Sequence, residues 1–234
     1  MSERETKTIA GALAEAARVL GDAGVAEARR EAGSLLAHAL GRDRTFLITH
    51  GDDELGGDLL ARFRRLAARR AAGEPLQYIR GAQEFFGLDF EVTPDVLIPR
   101  PETELLVEAA LELLAGTQAP RVCDVGTGSG CVVVSLLHGR GDARGVGLDI
   151  SPPAVRVAAR NAARHDVAAR LELFESDCFS ALEGAGRVFD VIVSNPPYIP
   201  ERDIADLQRE VRDHEPRAAL TPGGDGLRII RRLV

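Results

Sequence analysis

The stretch 124–130, Asp-Val-Gly-Thr-Gly-Ser-Gly, lies between two apolar runs and decides the fold. Its three glycines at alternate positions let the backbone approach a ligand closely, and the free N–H groups at the start of a following helix point toward that ligand. The stretch therefore predicts a strand, a tight loop and a helix, with a binding site at the loop. Similar loops also bind dinucleotides or form simple turns, so this stretch alone leaves the ligand open.

Outward from this loop, short apolar runs alternate with segments of helical spacing. Predicted strands cover residues 121–125, 145–150, 171–175 and 189–194, and one intervening helix covers residues 153–164. A further helix is expected from the segment 99–104, where prolines and acidic residues mark a helix start, to about residue 114. This alternation predicts an α/β domain over residues 99–234, with a parallel sheet whose ligands lie at the carboxyl ends of the strands.

The first part of the chain has a different pattern. Residues 1–73 carry apolar side chains at helical spacing, broken by glycines and without alternating stretches, which predicts a small all-α bundle. Residues 74–98 include the segment Phe-Phe-Gly-Leu-Asp-Phe at 85–90, which is typical of a β-hairpin. We therefore expect a hairpin linker between a helical domain and an α/β domain.

The last predicted helix of the bundle is rich in arginine. One interpretation is a solvated face whose basic residues complement the helix dipole. The other is a docking patch for an acidic or RNA-containing partner. The arginines concerned are Arg62, Arg64, Arg65, Arg69 and Arg70.

Composition narrows the class of protein. Apolar residues make up 45% and charged residues 28% of the 234 residues, which is ordinary for a globular protein. The net charge of −7 argues against a sequence-independent grip on nucleic acid, so no stable nucleic-acid partner is expected. Neither a membrane span nor a signal-peptide core is recognisable. The three cysteines lack disulfide or metal-site spacing, so buried thiols, no metal and a cytoplasmic location are expected.

Acidic residues follow the second and third predicted strands. Asp149 stands where a carboxylate can accept hydrogen bonds from both hydroxyls of a ribose, in NAD or in S-adenosylmethionine. Asp177 stands where a carboxylate can accept from the exocyclic amine of adenine, with Cys178 or Phe179 flanking the ring. The alternative for Asp177 is a helix cap.

The tetrapeptide Asn195-Pro196-Pro197-Tyr198 follows the fourth predicted strand and is the most informative about chemistry. An amide or aromatic amine nitrogen is a poor nucleophile, because its lone pair is delocalised. The Asn195 side-chain oxygen and the Pro196 carbonyl can accept its two protons, and Tyr198 offers a flat face for stacking. With the glycine loop and Asp149, the tetrapeptide predicts methyl transfer from S-adenosylmethionine to a planar nitrogen, by positioning and electrostatics.

The chain resembles the HemK/PrmC family of protein-glutamine methyltransferases, from about residue 5 to residue 234. The resemblance rests on segments spread along the chain: Gly-Glu-Pro-Leu-Gln-Tyr-Ile at 73–79, the hairpin at 85–90, Leu-Ile-Pro-Arg-Pro-Glu-Thr-Glu at 97–104, the glycine loop, Asn-Pro-Pro-Tyr-Ile at 195–199, Glu-Pro-Arg-Ala-Ala-Leu at 215–220 and Gly-Gly-Asp-Gly-Leu at 223–227. It implies a class I Rossmann-like S-adenosylmethionine methyltransferase domain, preceded by a helical domain that helps to hold the protein substrate.

The resemblance also implies the substrate. The methyl group would go to the side-chain amide nitrogen of the glutamine in the Gly-Gly-Gln loop of peptide chain release factors, in support of translation termination, leaving S-adenosylhomocysteine. The residues and the resemblance together predict these cofactor-binding residues: Gly126, Thr127, Gly128, Ser129, Gly130, Asp149, Asp177, Cys178 and Asn195. The predicted substrate-binding residues are Asn195, Pro196, Pro197 and Tyr198, and of these Asn195, Pro196 and Tyr198 are predicted to be catalytic.

One departure from the family pattern concerns the sheet. Members of this methyltransferase class have seven strands, whereas four parallel strands are predicted before Val234. We therefore expect a C-terminally incomplete sheet in which the fourth strand is an edge.

Three alternatives remain at this point. An adenine-specific nucleic-acid methyltransferase shares the Asn-Pro-Pro-Tyr motif but needs a basic cleft and a base-flipping pocket. A truncated, non-catalytic module would bind the cofactor or the partner without turnover. An NAD-dependent dehydrogenase would have no use for the tetrapeptide.

Overall fold

A computed structural model describes residues 6–234 of the chain and divides it into two compact units, Met1–Arg80 and Gly81–Val234. Residues 1–5, which the predicted helical bundle included, lie outside the described residues. Within residues 6–234, no helix combines the length and apolar character needed to cross a membrane.

The N-terminal unit is built from helices, as predicted. They are α1 (Ile9–Asp22), α2 (Ala28–Leu40), α3 (Arg44–Thr49), α4 (Gly57–Ala71) and α5 (Leu76–Arg80). The apolar stripes meet in one core, because residues three and four apart lie on the same helix face. One feature differs from the prediction: Lys7–Thr8 (β1) and Glu54–Leu55 (β2) pair as a two-residue antiparallel ladder, which is too short for an alternating pattern to reveal.

The arginine-rich helix α4 uses much of its positive charge internally. Arg64 donates to Glu15 at 2.7 Å, Arg69 pairs with Glu74, and the buried Arg70 donates to Glu31 at 2.5 Å. Because three of its five arginines are neutralised by carboxylates of the same unit, α4 carries less free charge than its sequence alone indicates. The docking-patch interpretation of α4 is therefore weakened.

The predicted linker, residues 74–98, is divided between the two units. Helix α5 belongs to the first unit, and the hairpin of β3 (Ala82–Phe85) and β4 (Leu88–Glu91) belongs to the second. Phe86 and Gly87 form the turn with φ of 52° and 74°, the conformation that suits a tight hairpin. Phe85 and Phe90 are buried in the core of the second unit, so the hairpin is part of that unit's packing.

The second unit contains the predicted parallel sheet. Its strands are β5 (Arg121–Val125), β6 (Arg144–Asp149), β7 (Leu171–Glu175) and β8 (Val191–Ser194), in the order β7-β6-β5-β8. Between or before them lie α6 (Glu104–Leu113), α7 (Cys131–Gly139) and α8 (Pro152–Arg164). The α/β prediction and the four strands are confirmed, with strand ends shifted by at most two residues.

Apolar side chains cover both faces of this sheet. Because successive side chains of a strand point to opposite faces, Val122 joins the core with the hairpin, α6 and α7, while Cys123 and Val125 join a second core on the other face. All three cysteines are free and buried, as predicted. Burial on both faces explains why consecutive residues of these strands are buried, at 122–125 in β5 and at 145–148 in β6.

Strand β8 is the last strand in the sheet order and pairs only with β5 among the described residues. Its Ile192 is 53% exposed. Beyond β8 the chain forms short helices: a 3-10 helix at Glu201–Asp206, then α9 (Arg209–His214), α10 (Arg217–Leu220) and α11 (Ile230–Leu233).

Candidate active site

A cleft opens at the carboxyl ends of the four parallel strands. Predicted site residues that line it are Gly126, Thr127, Gly128, Ser129, Asp149, Asp177, Cys178, Asn195, Pro196 and Pro197. Two predicted site residues, Gly130 and Tyr198, do not line the cleft. Residues that were not predicted to belong to the site also line the cleft, among them Asp95, Val96, Leu97, Pro99, Arg100, Thr103 and Ile150.

The glycine loop is held open by backbone geometry. Gly126 and Gly128 have φ of 76° and 56°, which L side chains rarely adopt, and no neighbouring atom lies near the position of a Cβ on either one. The N–H groups of Gly126 and Thr127 donate to the Leu148 carbonyl at 2.8 and 2.9 Å, which ties the loop to β6. Gly126, Thr127, Gly128 and Ser129 all line the cleft, as a loop that holds a cofactor must.

Gly130 has a packing role at the first turn of α7. A Cβ at this position would lie 3.1 Å from the Ala158 Cβ, so Gly130 allows α7 to approach α8 closely. This explains the third glycine of the motif through packing between helices. A direct contact of Gly130 with the cofactor remains a prediction.

Asp149 is fixed at the end of β6 by two backbone donors. Its Oδ2 accepts from Gly128 N at 2.8 Å and its Oδ1 accepts from Ser151 N at 2.9 Å. Burial raises the pKa of Asp149, and these two hydrogen bonds oppose that shift. Each oxygen keeps a lone pair, so the carboxylate can also accept from the two hydroxyls of a ribose. The residues present therefore fit a nucleoside cofactor.

Asp124 is a buried acid beneath the glycine loop to which sequence reasoning assigned no role. It is 2% exposed, and the Thr127 hydroxyl donates to its carboxylate at 2.8 Å. Burial raises the pKa of Asp124 to about 7, and the nearby charge of Asp149 adds to the shift. A cation in the cleft would favour the ionised form, so Asp124 complements a positively charged cofactor such as a sulfonium.

We expect Asp124 to make the stability of the free protein fall as pH rises. In the unfolded chain an aspartate has its ordinary pKa near 3.8, whereas the folded state holds the proton up to about pH 7. The contribution of Asp124 to the stability of the folded state is complete below the pKa that Asp124 has in the unfolded chain. It is lost as pH rises through the pKa that Asp124 has in the folded state. Asp124→Asn cannot ionise, so the stability of the native chain minus that of the variant should decline from pH 5 to pH 8 in urea unfolding. Parallel profiles would contradict this account.

At the end of β7, Asp177 is engaged by a residue of α11. Arg232 donates to its Oδ1 at 2.7 Å, which lowers the pKa of Asp177. Among the described residues no helix N–H donates to this carboxylate, which counts against the helix-cap alternative. Cys178 has φ of 51° and packs with the core beneath the sheet, while it still lines the cleft. Phe179 packs against the same core and does not line the cleft.

The tetrapeptide follows β8 directly beside the glycine loop. Parallel pairing of Val125 with Ser194, together with a 2.6 Å hydrogen bond from Ser194 Oγ to the Val125 carbonyl, places Asn195 next to Gly126. Asn195 Nδ2 donates to Thr103 Oγ1 at 3.1 Å. Tyr198 is 59% exposed, so its predicted stacking on the substrate requires a ligand that extends beyond the cleft.

Two family segments that carried no assigned role meet at the rim of the cleft. Arg100 donates to the buried Glu215 at 2.5 Å, and Ile98 N donates to the other oxygen of the same carboxylate at 3.3 Å. Arg100, Thr103 and Glu215 were not named as site residues from the sequence. For Arg100 and Glu215, a charged residue next to prolines was a usable signal. Within residues 6–234, no group of three His, Cys, Asp or Glu side chains could hold a metal ion.

Both parts of the chain match known protein families. Residues 11–81 match the family described as "PrmC N-terminal domain", and residues 101–232 match the one described as "Methyltransferase small domain". Among solved structures, the hMettl16 catalytic domain in complex with MAT2A 3′UTR hairpin 6 has a TM-score of 0.51 at 18% identity, covering 71% of this chain and 60% of that chain. At this identity the likeness shows a shared fold, in agreement with the predicted Rossmann-like class.

Relatives with much higher identity carry one name. The release factor glutamine methyltransferase of Geobacter sulfurreducens is 51% identical over 215 residues, which cover 92% of this chain and 74% of that protein. The protein of the same name from Burkholderia pseudomallei is 52% identical over 204 residues, covering 86% of this chain and 71% of that protein. The resemblance inferred from the motifs is confirmed, and this chain belongs to the release factor glutamine methyltransferase family.

Proposed function

We propose that this methyltransferase transfers the methyl group of S-adenosylmethionine to the side-chain amide nitrogen of the glutamine in the Gly-Gly-Gln loop of peptide chain release factors. One observation carries the proposal: the amide of Asn195 stands at the end of β8, next to the glycine loop and in the same cleft as Asp149. The reaction would support translation termination in the cytoplasm, and the three free buried cysteines suit a reducing compartment.

The proposed cofactor site follows the strand order of the sheet. Asp177 and Cys178 would hold the adenine end, Asp149 the ribose, and Gly126–Ser129 with Asn195 the remainder. When bound, S-adenosylmethionine supplies an electrophilic methyl group. Apolar lining from Val125, Val132 and Ile150 excludes water from this part of the cleft.

The proposed substrate site uses acceptors rather than a strong base. Asn195 Oδ1 and the Pro196 carbonyl accept hydrogen bonds from the two N–H groups of the glutamine amide, which fixes the plane of the amide and the direction of its nitrogen. Pro197 adds an apolar wall, and the exposed Tyr198 contacts the substrate beyond the cleft. Catalysis then comes from orientation and from polar groups that are already in place.

A protein substrate is favoured over a nucleic acid by charge. The chain carries a net charge of −7, and the α/β unit contains most of the acidic excess, whereas a nucleic-acid adenine methyltransferase needs a basic cleft. Among residues 6–234, the arginines that line the cleft are Arg100 and Arg228.

We also propose that the N-terminal unit contacts the release factor. A groove that involves α1, α2 and α3, here called the arginine groove, is lined by four alanines and by Arg18, Arg29, Arg30 and Arg44. Only Arg30 of these four forms an ion pair within the described residues, with Glu27 at 2.7 Å. Arginine side chains without an internal ion pair, next to small alanine side chains, complement an acidic segment of a protein partner.

The proposed function predicts labelling of one glutamine. With radiolabelled S-adenosylmethionine, a purified release factor should acquire label, and the same release factor with Gln→Ala in its Gly-Gly-Gln loop should acquire none. Liquid scintillation after gel separation measures both reactions.

Two comparisons sharpen this experiment. A short peptide that contains Gly-Gly-Gln should be methylated with a higher KM than the whole release factor, because it lacks the acidic segment that is proposed to bind the arginine groove. Transfer to an adenine-containing oligonucleotide with none to the release factor would overturn the proposal, and cofactor binding without any transfer would favour a non-catalytic module.

A further inference from the structure

The amide group of Asn195 can be placed in two orientations that differ by a 180° rotation. In one, Oδ1 faces the substrate and can accept a hydrogen bond from an N–H of the glutamine NH2 group. In the other, Nδ2 faces the substrate and presents donors to donors, which repel. Because these two orientations have nearly the same shape, packing alone cannot choose between them.

The hydroxyl of Thr103 is the group that contacts this amide. Asn195 Nδ2 donates to Thr103 Oγ1 at 3.1 Å, across 92 positions of sequence, and both side chains are partly buried and line the cleft. Among residues 6–234 no donor reaches Asn195 Oδ1. The hydrogen bond to Thr103 therefore occupies the NH2 end of the amide and leaves the acceptor end available.

Thr103 is itself fixed on both sides along the chain. It is the last residue of a one-turn 3-10 helix, Pro101–Thr103. Arg100, which comes directly before this turn, donates to the buried Glu215 at 2.5 Å. The next residue, Glu104, accepts from Phe86 N of the hairpin at 2.9 Å. Because Arg100 and Glu104 are both held by other segments, the Thr103 hydroxyl between them can keep a fixed position without a contact to the reacting atoms.

We propose that Thr103 is a positioning residue for methyl transfer: its hydroxyl anchors the Asn195 amide and keeps Oδ1 where it can accept a hydrogen bond from the substrate nitrogen. The inference rests on the proposed function for the identity of the nitrogen. Beyond the proposed function, the inference states that the segment 97–104 affects methyl transfer through the contact of Thr103 with Asn195. It also explains why the segment that opens α6 has to meet the segment that follows β8.

The kinetic test compares Thr103→Val with Thr103→Ser. Valine keeps the shape and removes the hydroxyl, so kcat for the release factor should fall about tenfold, while the Kd for S-adenosylmethionine stays within about twofold. Serine keeps the hydroxyl and should restore kcat to within about threefold of the native value. Thr117→Val makes the same chemical change in a loop outside the cleft and should leave kcat unchanged. A native kcat in Thr103→Val would overturn the inference.

A spectroscopic test does not depend on turnover. Asn161 and Asn195 are the only asparagines of the chain, so labelling with [15N]asparagine gives two side-chain NH2 pairs. Asn161 is fully buried and donates to the carbonyls of Glu91 and Ser129 at 3.0 and 2.8 Å, which makes it an internal reference. Asn195→Ala identifies the signals of Asn195 by their loss.

Thr103→Val should shift the NH2 signals of Asn195 and speed their exchange with solvent, whereas those of Asn161 stay in place and Thr103→Ser shows neither change. Unmoved Asn195 signals in Thr103→Val would overturn the inference even if activity fell. If the native protein does not label the release factor, the proposed function fails. The NH2 signals of Asn195 then still show whether Thr103 positions its amide.

Discussion

Asn195→Ala should lower kcat for the release factor by about 100-fold or more, with much smaller loss of affinity for S-adenosylmethionine. Alanine removes the acceptor that holds one proton of the glutamine amide, and the Pro196 carbonyl alone leaves the nitrogen free to turn. Loss of one polar group placed for the transition state typically costs two to three orders of magnitude, that is, about 10²–10³ in rate. Single-turnover methyl transfer at saturating cofactor, with calorimetric titration of the cofactor, measures the two effects separately.

The matched control is Gln208→Ala, which removes an exposed side-chain amide outside the cleft and should leave both values unchanged. Equal losses of kcat and of cofactor affinity in Asn195→Ala would mean that Asn195 is mainly a cofactor ligand. Asn195 was predicted to contact both ligands, so this measurement also divides its role between them.

Gly226→Ala should have the second large effect, on stability and on activity together. Gly226 has φ of 82°, and a Cβ at this position would overlap the carbonyl oxygen of Tyr198 and lie 3.0 Å from Pro200 N. These atoms are backbone, so the clash is relieved only by moving the segment that carries the tetrapeptide. We expect the free energy of unfolding to fall by about 3 kcal/mol, from strain and overpacking together, and methyl transfer to fall with it.

Gly223→Ala separates the two causes. Gly223 has φ of 84°, but nothing lies within 4 Å of its Cβ position, so this variant carries the backbone strain without the clash. It should lose about 1 kcal/mol of stability and keep most of its activity. If urea unfolding gives the same loss for both variants, the close approach of Gly226 to Tyr198 has no energetic importance.

The strands of the sheet could be predicted from sequence because each is a short apolar run bounded by glycine, proline or charged residues. The cleft at their carboxyl ends then followed from general rules for parallel sheets, whereas the full order of the strands was not predicted. Asp149 and Asn195 were placed correctly beside the cleft for the same reason, since each comes directly after a strand. Their roles in binding remain predictions.

Contacts between distant segments could not be predicted from local patterns. The hydrogen bond from Asn195 to Thr103 and the ion pair from Arg100 to Glu215 depend on how the segments before α6 and after β8 pack in three dimensions. The pKa of Asp124 depends on complete burial, which a sequence does not display. The exposed position of Tyr198 likewise depends on the path of the backbone after Pro197.

The arrangement of the proposed ligand contacts along the sheet has an evolutionary consequence. Under the proposed assignment, the strand order β7-β6-β5-β8 separates the cofactor contacts of the first three strands from the substrate contacts that follow β8. A change in the loop that follows β8 alters the acceptor contacts and leaves the loops after the other three strands unchanged. Descendants of such a protein can therefore acquire new methyl acceptors by altering one loop, while inheriting the donor site intact.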